Sequence, residues 1–243
     1  MAWVFTENVN GSHHVIAGED AHHIGKVLRV KPGECVTLCD EKQVCHECTV
    51  ESVSSDTVTV KINESHPCVH EPDIHLTLYQ ALPKGEKMDM IVQKSIELGV
   101  AEIVPVLSAR CISRPDEKSI KKKVERWNKI AKSAAMQSRR GFIPTVKPLM
   151  NFKDAAMLAG KNTVICYELG GVSMDKALEN SLDKERRSVS LFIGSEGGFE
   201  QSEVDLITQN GGIAAGLGRR ILRAETAPLA AASVIMYLTG NLS

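Results

Sequence analysis

The sequence predicts an α/β protein with a mostly parallel sheet, preceded by a small β-barrel. Three observations carry this. From residue 73 onward, short apolar runs alternate with segments of helical period, the pattern of a parallel sheet covered by helices on both faces. Before residue 73, short Val-, Thr- and Cys-rich runs are separated by polar turns, the spacing of a small barrel. The chain has 243 residues, 43% hydrophobic and 24% charged, enough for one large domain or two small ones. No run approaches the roughly 20 apolar residues of a membrane span. The start, Met1-Ala-Trp-Val-Phe5, lacks a basic stretch followed by an apolar one, so no secretory signal is expected and the protein reads as cytoplasmic.

In order, residues 19–29 predict a short helix with Ala21, Ile24, Val27 and Leu28 on one face. Strands are expected at 34–40, 44–53 and 57–62. The polar stretch Pro67-Cys-Val-His-Glu-Pro72 is the expected boundary, giving domains 1–72 and 73–243. A strand at 74–82 then leads into a helix to Leu98, its inner face formed by Met88, Ile91, Val92, Ser95 and Ile96. A strand at 103–107 precedes a long helix at 118–140, with Val124, Trp127, Ile130, Ala131 and Ala134 inward. Strands follow at 163–169, 189–194 and 212–217. Helices are expected at 201–209 and 226–238, with Pro228 tolerated in the first turn of the last one.

The net charge of −1 hides an asymmetry. Residues 1–72 sum to −6, and residues 110–147 hold twelve Lys/Arg against three acidic residues, Asp116, Glu117 and Glu125. That segment is either a solvated helix face or a surface for a polyanion. The seven cysteines are odd in number and come without an export signal, so disulfides are not expected. Cys45-His-Glu-Cys48 has CxxC spacing, with Cys35 and Cys39 upstream. These cysteines lie in strand-like runs, and the two well-separated pairs of a zinc ribbon are missing, so they read as small core residues and no metal is expected.

Three segments bear on chemistry. Leu191-Phe-Ile-Gly-Ser-Glu-Gly-Gly-Phe199 runs from strand to glycines to helix. It is neither the GxGxxG fingerprint nor a Walker A loop. Gly216-Leu-Gly-Arg-Arg-Ile-Leu-Arg-Ala-Glu-Thr-Ala227 follows another strand and sets Ile221 and Leu222 among three arginines. Tyr167-Glu-Leu-Gly-Gly171 is a third strand running into glycine. Glycines admit close backbone approach, and open α/β sheets bind ligands at their carboxyl edge. Three such ends suit one ligand, with Ile221 and Leu222 either walling its pocket or plugging the core.

Five motifs form one pattern, of which the first two are the most distinctive: Ile193-Gly-Ser-Glu-Gly-Gly-Phe199, Leu217-Gly-Arg-Arg-Ile-Leu-Arg-Ala-Glu-Thr-Ala227, Leu82-Pro-Lys-Gly-Glu-Lys87, Gln93-Lys-Ser-Ile-Glu-Leu-Gly99 and the 126–140 segment. Together they resemble the RsmE family, over nearly the whole chain and in order. His22-His-Ile-Gly-Lys-Val-Leu-Arg29 is similar to that family's PUA-like RNA-binding domain. The resemblance implies a SPOUT-class methyltransferase that uses S-adenosyl-L-methionine to methylate N3 of a uridine in 16S ribosomal RNA of the small ribosomal subunit. It also implies a C-terminal trefoil knot, an exception to unknotted topology, and a homodimer. The chain departs from the family pattern at Ser195, where proline is usual, at Met136, where glutamate is common, and at the start, where an arginine is often found.

By that resemblance the cofactor is expected across Leu169, across Ile193, Gly194, Ser195, Glu196, Gly197 and Gly198, and across Leu217, Gly218, Ile221, Leu222, Thr226 and Ala227. RNA phosphates are expected at Arg29, Lys84, Arg110, Arg114, Arg139 and Arg140. Arg223 is the leading catalytic candidate, because a guanidinium stays charged and can stabilise a uracil anion. Glu225, the nearest carboxylate, is the candidate base, on the condition that its pKa is raised. Its alternative role is helix capping or pairing with a cation.

Overall fold

The computed structural model describes residues 2–7, 9, 11–183, 185 and 187–242. The chain divides into two compact units: residues up to Glu71 together with Ala135–Ile143, and Pro72–Ala134 together with Pro144 onward.

The first unit holds β1 (Ala2–Phe5), β2 (His13–Ala17), α1 (Gly18–His22), β3 (Cys35–Cys39), β4 (Val44–Val53) and β5 (Thr57–Pro67). Their order in the sheet is β1-β3-β4-β5-β2, antiparallel except for β1 beside β3. Alternating residues such as Val36 and Leu38, Cys48 and Val50, and Val58 and Val60 form the core with Ile16, Ala21 and Ile24. The expected 19–29 helix differs from its sequence pattern. After α1 it widens into a π-turn over His23–Val27, which changes the angle per residue and leaves Val27 and Leu28 exposed. The strand expected at 57–62 continues to Pro67, because pairing with β4 holds a polar stretch that has no hydrophobic signal. Cys39, Cys45 and Cys48 are buried, whereas Cys35, expected in the core, is exposed at the start of β3.

The expected contiguity of 73–243 is corrected at Ala135–Ile143, which packs with the first unit. Trp3 Nε1 donates to the Arg140 carbonyl at 3.1 Å, and the Cys39 thiol donates to the Gly141 carbonyl at 3.2 Å. Arg140 Nε and Nη2 reach the two oxygens of Glu71 at 2.8 and 2.9 Å, and Glu71 also accepts from Gly141 N at 2.6 Å. Burial and a bidentate carboxylate thus occupy a cation that was expected to meet phosphate: Arg140 is 2% exposed.

The second unit contains β6 (His75–Ala81), α2 (Lys87–Glu97), β7 (Glu102–Leu107), α3 (Glu117–Gln137), β8 (Thr145–Val146), β9 (Met150–Asn151), α4 (Phe152–Ala159), β10 (Thr163–Cys166), α5 (Met174–Ser181), β11 (Ser188–Ile193), α6 (Gln201–Gln209), β12 (Ile213–Ala215) and α7 (Ala227–Leu238). Its sheet runs β12-β10-β11-β6-β7-β8, with β9 also on β7, and every pair is parallel. The expected inner face of α2 is buried at each of its five positions. Four elements were not anticipated: β8 and β9, of two residues each, and helices α4 and α5, of eight residues each, whose buried faces (Phe152, Ala155 and Ala156; Met174, Ala177 and Leu178) do carry a helical period. Aromatic residues are few, yet they gather in one place. Tyr79 stacks on Phe192 at 4.4 Å, and Phe152 lies edge-on to Phe192 and beside Phe199. Phe199, 1% exposed, therefore anchors the glycine loop directly behind Gly198.

Glu71→Ala removes the carboxylate that satisfies Arg140 and Gly141. Breaking a buried pair at one partner costs about 3 kcal/mol at the low end, so urea unfolding followed at Trp3 is expected to shift to lower denaturant. An unchanged midpoint contradicts this account of the 135–143 segment.

Candidate active site

A fully parallel sheet puts the carboxyl ends of β10, β11 and β12 on one edge, and each end runs into glycine. After β10, Tyr167 N donates to the Ala215 carbonyl at 2.9 Å, and Val172 N donates to the Ala214 carbonyl at 3.0 Å. The loop after β10 therefore wraps β12. Gly216 N returns a 3.0 Å bond to the Val172 carbonyl.

After β11, the chain turns tightly over residues 194–198. Gly198 N donates to the Ser195 carbonyl at 2.9 Å. Gly198 has φ +67°, in the left-handed region. A Cβ on Gly194 would stand 2.9 Å from Gly198 Cα, so Gly194 leaves no room for a side chain, and one on Gly198 would sit on a strained backbone. Arg110 braces this loop from outside, Nη1 donating to the Gly197 carbonyl at 3.0 Å. On the other side Lys84 N donates to Glu196 at 3.2 Å.

Lys87, at the start of α2, ties two of these segments together. Its Nζ lies 2.8 Å from Glu196 Oε1 in the glycine loop and 3.3 Å from Glu225 Oε2 ahead of α7. Each charge is tuned accordingly. The hydrogen bond to Glu196 raises the Lys87 ammonium above its ordinary range. At Glu196 burial opposes ionisation, but bonds from Lys87 and from backbone N–H groups outweigh it and hold the carboxyl below its usual range. Glu225 is held low by its own backbone N–H and by Lys87.

The strand ends enclose a cavity of about 800 Å³, within the ~300–1,000 Å³ of small-molecule sites. Ile193, Gly194, Ser195, Glu196, Gly197, Gly198, Leu217, Gly218, Ile221, Leu222 and Ala227 line it, as does Arg223. Three expected residues do not. Leu169 is 75% exposed, because β10 stops at Cys166 and the loop turns that side chain outward. Thr226 and Glu225 lie outside the lining, on the turn in which Thr226 N and Ala227 N both bond the Arg223 carbonyl at 2.9 Å. The condition for Glu225 as a base is not met, since its pKa is lowered, not raised. Sequence reasoning passed over Lys87, Glu168, Arg219 and Arg220 as lining residues. Glu168 and the two arginines stood inside motifs already noticed. The role of Lys87 depends on contacts distant in sequence. Lys84 and Arg114 are exposed, as are Arg29 and Arg139 in the first unit. Arg114 Nη2 bonds the Ala109 carbonyl at 3.2 Å.

The cavity also offers unused polar capacity. Among the described residues Ser195 Oγ is buried at the wall without a hydrogen-bond partner. Cys166, also lining it, is held as a neutral thiol, its pKa pushed by burial to about 12. A glycine-ringed cavity at the carboxyl edge of a parallel sheet, with arginines at its rim, defines a small-molecule-dependent α/β enzyme.

Comparison with known proteins makes the class specific. A profile described as an RNA methyltransferase domain matches residues 70–236, and one described as an RNA methyltransferase PUA domain matches residues 16–63. The chain is 39% identical to the ribosomal RNA small subunit methyltransferase E of Bacillus subtilis, over 92% of this chain and 90% of that protein. A putative methyltransferase of Legionella pneumophila, solved with bound cofactor SAM, superimposes with TM-score 0.85 at 30% identity, covering 97% of this chain and 96% of that one. The ribosomal RNA small subunit methyltransferase E of Neisseria gonorrhoeae, solved with S-adenosyl methionine, has TM-score 0.85 at 29% identity, with 98% of each chain covered. The chain belongs to the RsmE family of RNA methyltransferases.

The ion triad carries a pH signature. Both carboxyls are lowered, so their contribution is complete above the ordinary carboxylate value near 4.5 and is lost as pH falls through their folded values. Lys87 is raised, so its share is complete below 10.5 and is lost as pH rises further. The melting-temperature difference between wild type and Lys87→Met is expected to be present at neutral pH and to vanish in strong acid and strong base. A difference independent of pH contradicts the pairing.

Proposed function

We propose that this protein transfers a methyl group from S-adenosyl-L-methionine to N3 of a uridine in 16S ribosomal RNA of the small ribosomal subunit, in the cytoplasm. One observation carries the reading: three of the segments that resemble the family's motifs, around Lys87, at 193–198 and at 217–227, are far apart in sequence and line one cavity. The wall residues suit the cofactor. Ile193, Leu217, Ile221 and Leu222 give apolar surface to a purine ring, glycine backbone allows close approach, and Ser195 Oγ has a hydrogen bond to give.

When bound, S-adenosylmethionine supplies an electrophilic methyl group on a sulfonium. The protein's part is positioning and charge. A base stacked in RNA must be extruded to reach the cavity. Arg223, exposed at the rim, donates to the uracil carbonyl oxygens and stabilises the charge that develops as the N3 proton leaves. Once the N3 proton has passed to solvent, Arg223 would hold the ring as its anion, so that the N3 electron pair could take the methyl group as its bond to sulfur breaks and the electron pair of that bond leaves on the neutral thioether product. Glu225 serves this scheme by holding Lys87 and the start of α7, while Lys87 keeps Glu196 and the glycine loop in place.

RNA phosphates would meet Lys84, Arg110 and Arg114, and Arg29 and Arg139 of the first unit, as register-setting contacts. The reading includes the trefoil knot implied by the family, with the loops after β10, β11 and β12 as its threaded parts. It also includes a homodimer. Helix α7 is apolar on nearly every side, yet Val234, Tyr237 and Leu238 are exposed, Tyr237 at 67%. A helix apolar all round belongs in an interior, and a second copy would provide one. Sedimentation is expected to give a dimer for wild type and a monomer for Tyr237→Glu; a wild-type monomer ends this part of the proposal.

The central test is single-turnover transfer of labelled methyl to small ribosomal subunits that lack the modification, with calorimetry of cofactor binding. Gly198→Val is expected to fold and to lose cofactor binding. Arg223→Ala is expected to keep binding and to lose transfer by about two orders of magnitude, the scale of removing one charge-stabilising donor. Near-normal transfer by Arg223→Ala refutes its catalytic role.

A further inference from the structure

The cavity contains one carboxylate with nothing to pair with. Glu168 follows the end of β10 and lines the wall, and among the described residues it has neither an ion pair nor a hydrogen bond. The other lining carboxylate, Glu196, is engaged by Lys87 and by Lys84 N. The lining cations divide in the same way. Lys87 is held between Glu196 and Glu225, whereas Arg219, Arg220 and Arg223 form no ion pair among the described residues. The Arg223 guanidinium also acts on Glu225 through space, so the unspent charge in the cavity is mainly Arg219, Arg220 and the single carboxylate of Glu168.

Its place is reserved by the glycine loop. A Cβ on Gly198 would stand 2.9 Å from Glu168 Cδ and 2.9 Å from Oε2. Gly198 is favoured by its left-handed φ, and a side chain there would also push this carboxylate aside. The carboxylate end of Glu168 lies against the loop that forms one wall of the cavity, and solvent still reaches it.

A methyl-donor sulfonium compound with an amino-acid tail carries two positive charges and one negative charge. Entering a cavity whose free groups are mostly arginine, its cationic part needs a counter-charge. We propose that Glu168 is that counter-charge: a positioning and specificity residue that pairs with the cationic end of the donor and favours it over neutral adenosine compounds. The proposal rests on the reading of this cavity as the S-adenosylmethionine site. The donor's carboxylate has Arg219 and Arg220 on the other side of the charge balance, so a lining with both signs of free charge suits a ligand of mixed charge.

The test is calorimetric, on the full-length protein, with three ligands: S-adenosylmethionine, S-adenosylhomocysteine and methylthioadenosine. The last has neither sulfonium nor ammonium. Glu168→Gln keeps size and shape and removes only the charge. It is expected to weaken S-adenosylmethionine by about tenfold or more, the scale of a hydrogen bond to a charged group, and to leave methylthioadenosine within about twofold. A loss shared with S-adenosylhomocysteine assigns the pairing to the ammonium, and a loss confined to S-adenosylmethionine assigns it to the sulfonium. Either result supports the proposal, as does partial recovery by Glu168→Asp. Equal losses for all three ligands mean a structural role and overturn it, and unchanged affinities overturn it as well. A wild-type protein that binds none of the three overturns the reading of the cavity itself, a result distinct from any outcome with the variant.

Discussion

Parallel pairing is the constraint on which the site depends. Because β6, β7, β10, β11 and β12 all run the same way, each contributes its carboxyl end to the same edge. Registers such as Ile165 opposite Phe192 and opposite Ala214 bring Tyr167, Gly194 and Gly216 out at nearly the same level. An antiparallel strand in the middle of the sheet would deliver an amino end there, and the cavity would lose a wall. Burial of both faces drives this arrangement, since Val164, Ile165, Leu191, Phe192, Leu76 and Leu78 are fully inaccessible. The hydrophobic effect thus fixes where the glycines lie, and local chemistry decides only their shape.

Ion pairing then holds what packing cannot. The glycine loop has no side chains at 194, 197 or 198 to bury, so it is braced through Phe199 below, Arg110 outside and the Lys87–Glu196 pair above. Lys87 extends the same brace to the 216–227 segment through Glu225. A surface pair in isolation is worth little. Here its value is geometric, because it couples two loops that meet at one cavity and leaves the arginines of the second loop free.

The legible parts of the sequence were those with a period. The apolar spacing of α2 and the Val/Ile/Leu runs of β6, β7 and β11 reached the page almost residue for residue, because burial on a regular element leaves a regular trace. The glycine clusters announced where the loops turn. The π-turn at His23–Val27 was illegible, since the pattern of residues 19–29 suits an ordinary helix and only the tertiary setting widens it. Arg140 was misread for a related reason. It stands in a run of basic residues, and nothing local to that run distinguishes a solvated arginine from one whose partner, Glu71, arrives from the other side of the sequence. Lys87 was overlooked by the same logic, with Glu196 and Glu225 as the distant partners.

The cysteines show what burial does to a thiol. It pushes Cys39 up to about 12 and Cys48 up to about 11, and it raises Cys45 as well. A thiol held in its protonated form has a hydrogen to give, and Cys39 and Cys48 give theirs to the carbonyls of Gly141 and His46. The first of these bonds fastens the 135–143 segment beside Trp3 and Glu71. Cys39 is therefore part of the attachment that holds the 135–143 segment in the first unit. Burying Arg140 against Glu71 there takes one positive charge out of the basic run, while the exposed Arg139 beside it remains available to solvent.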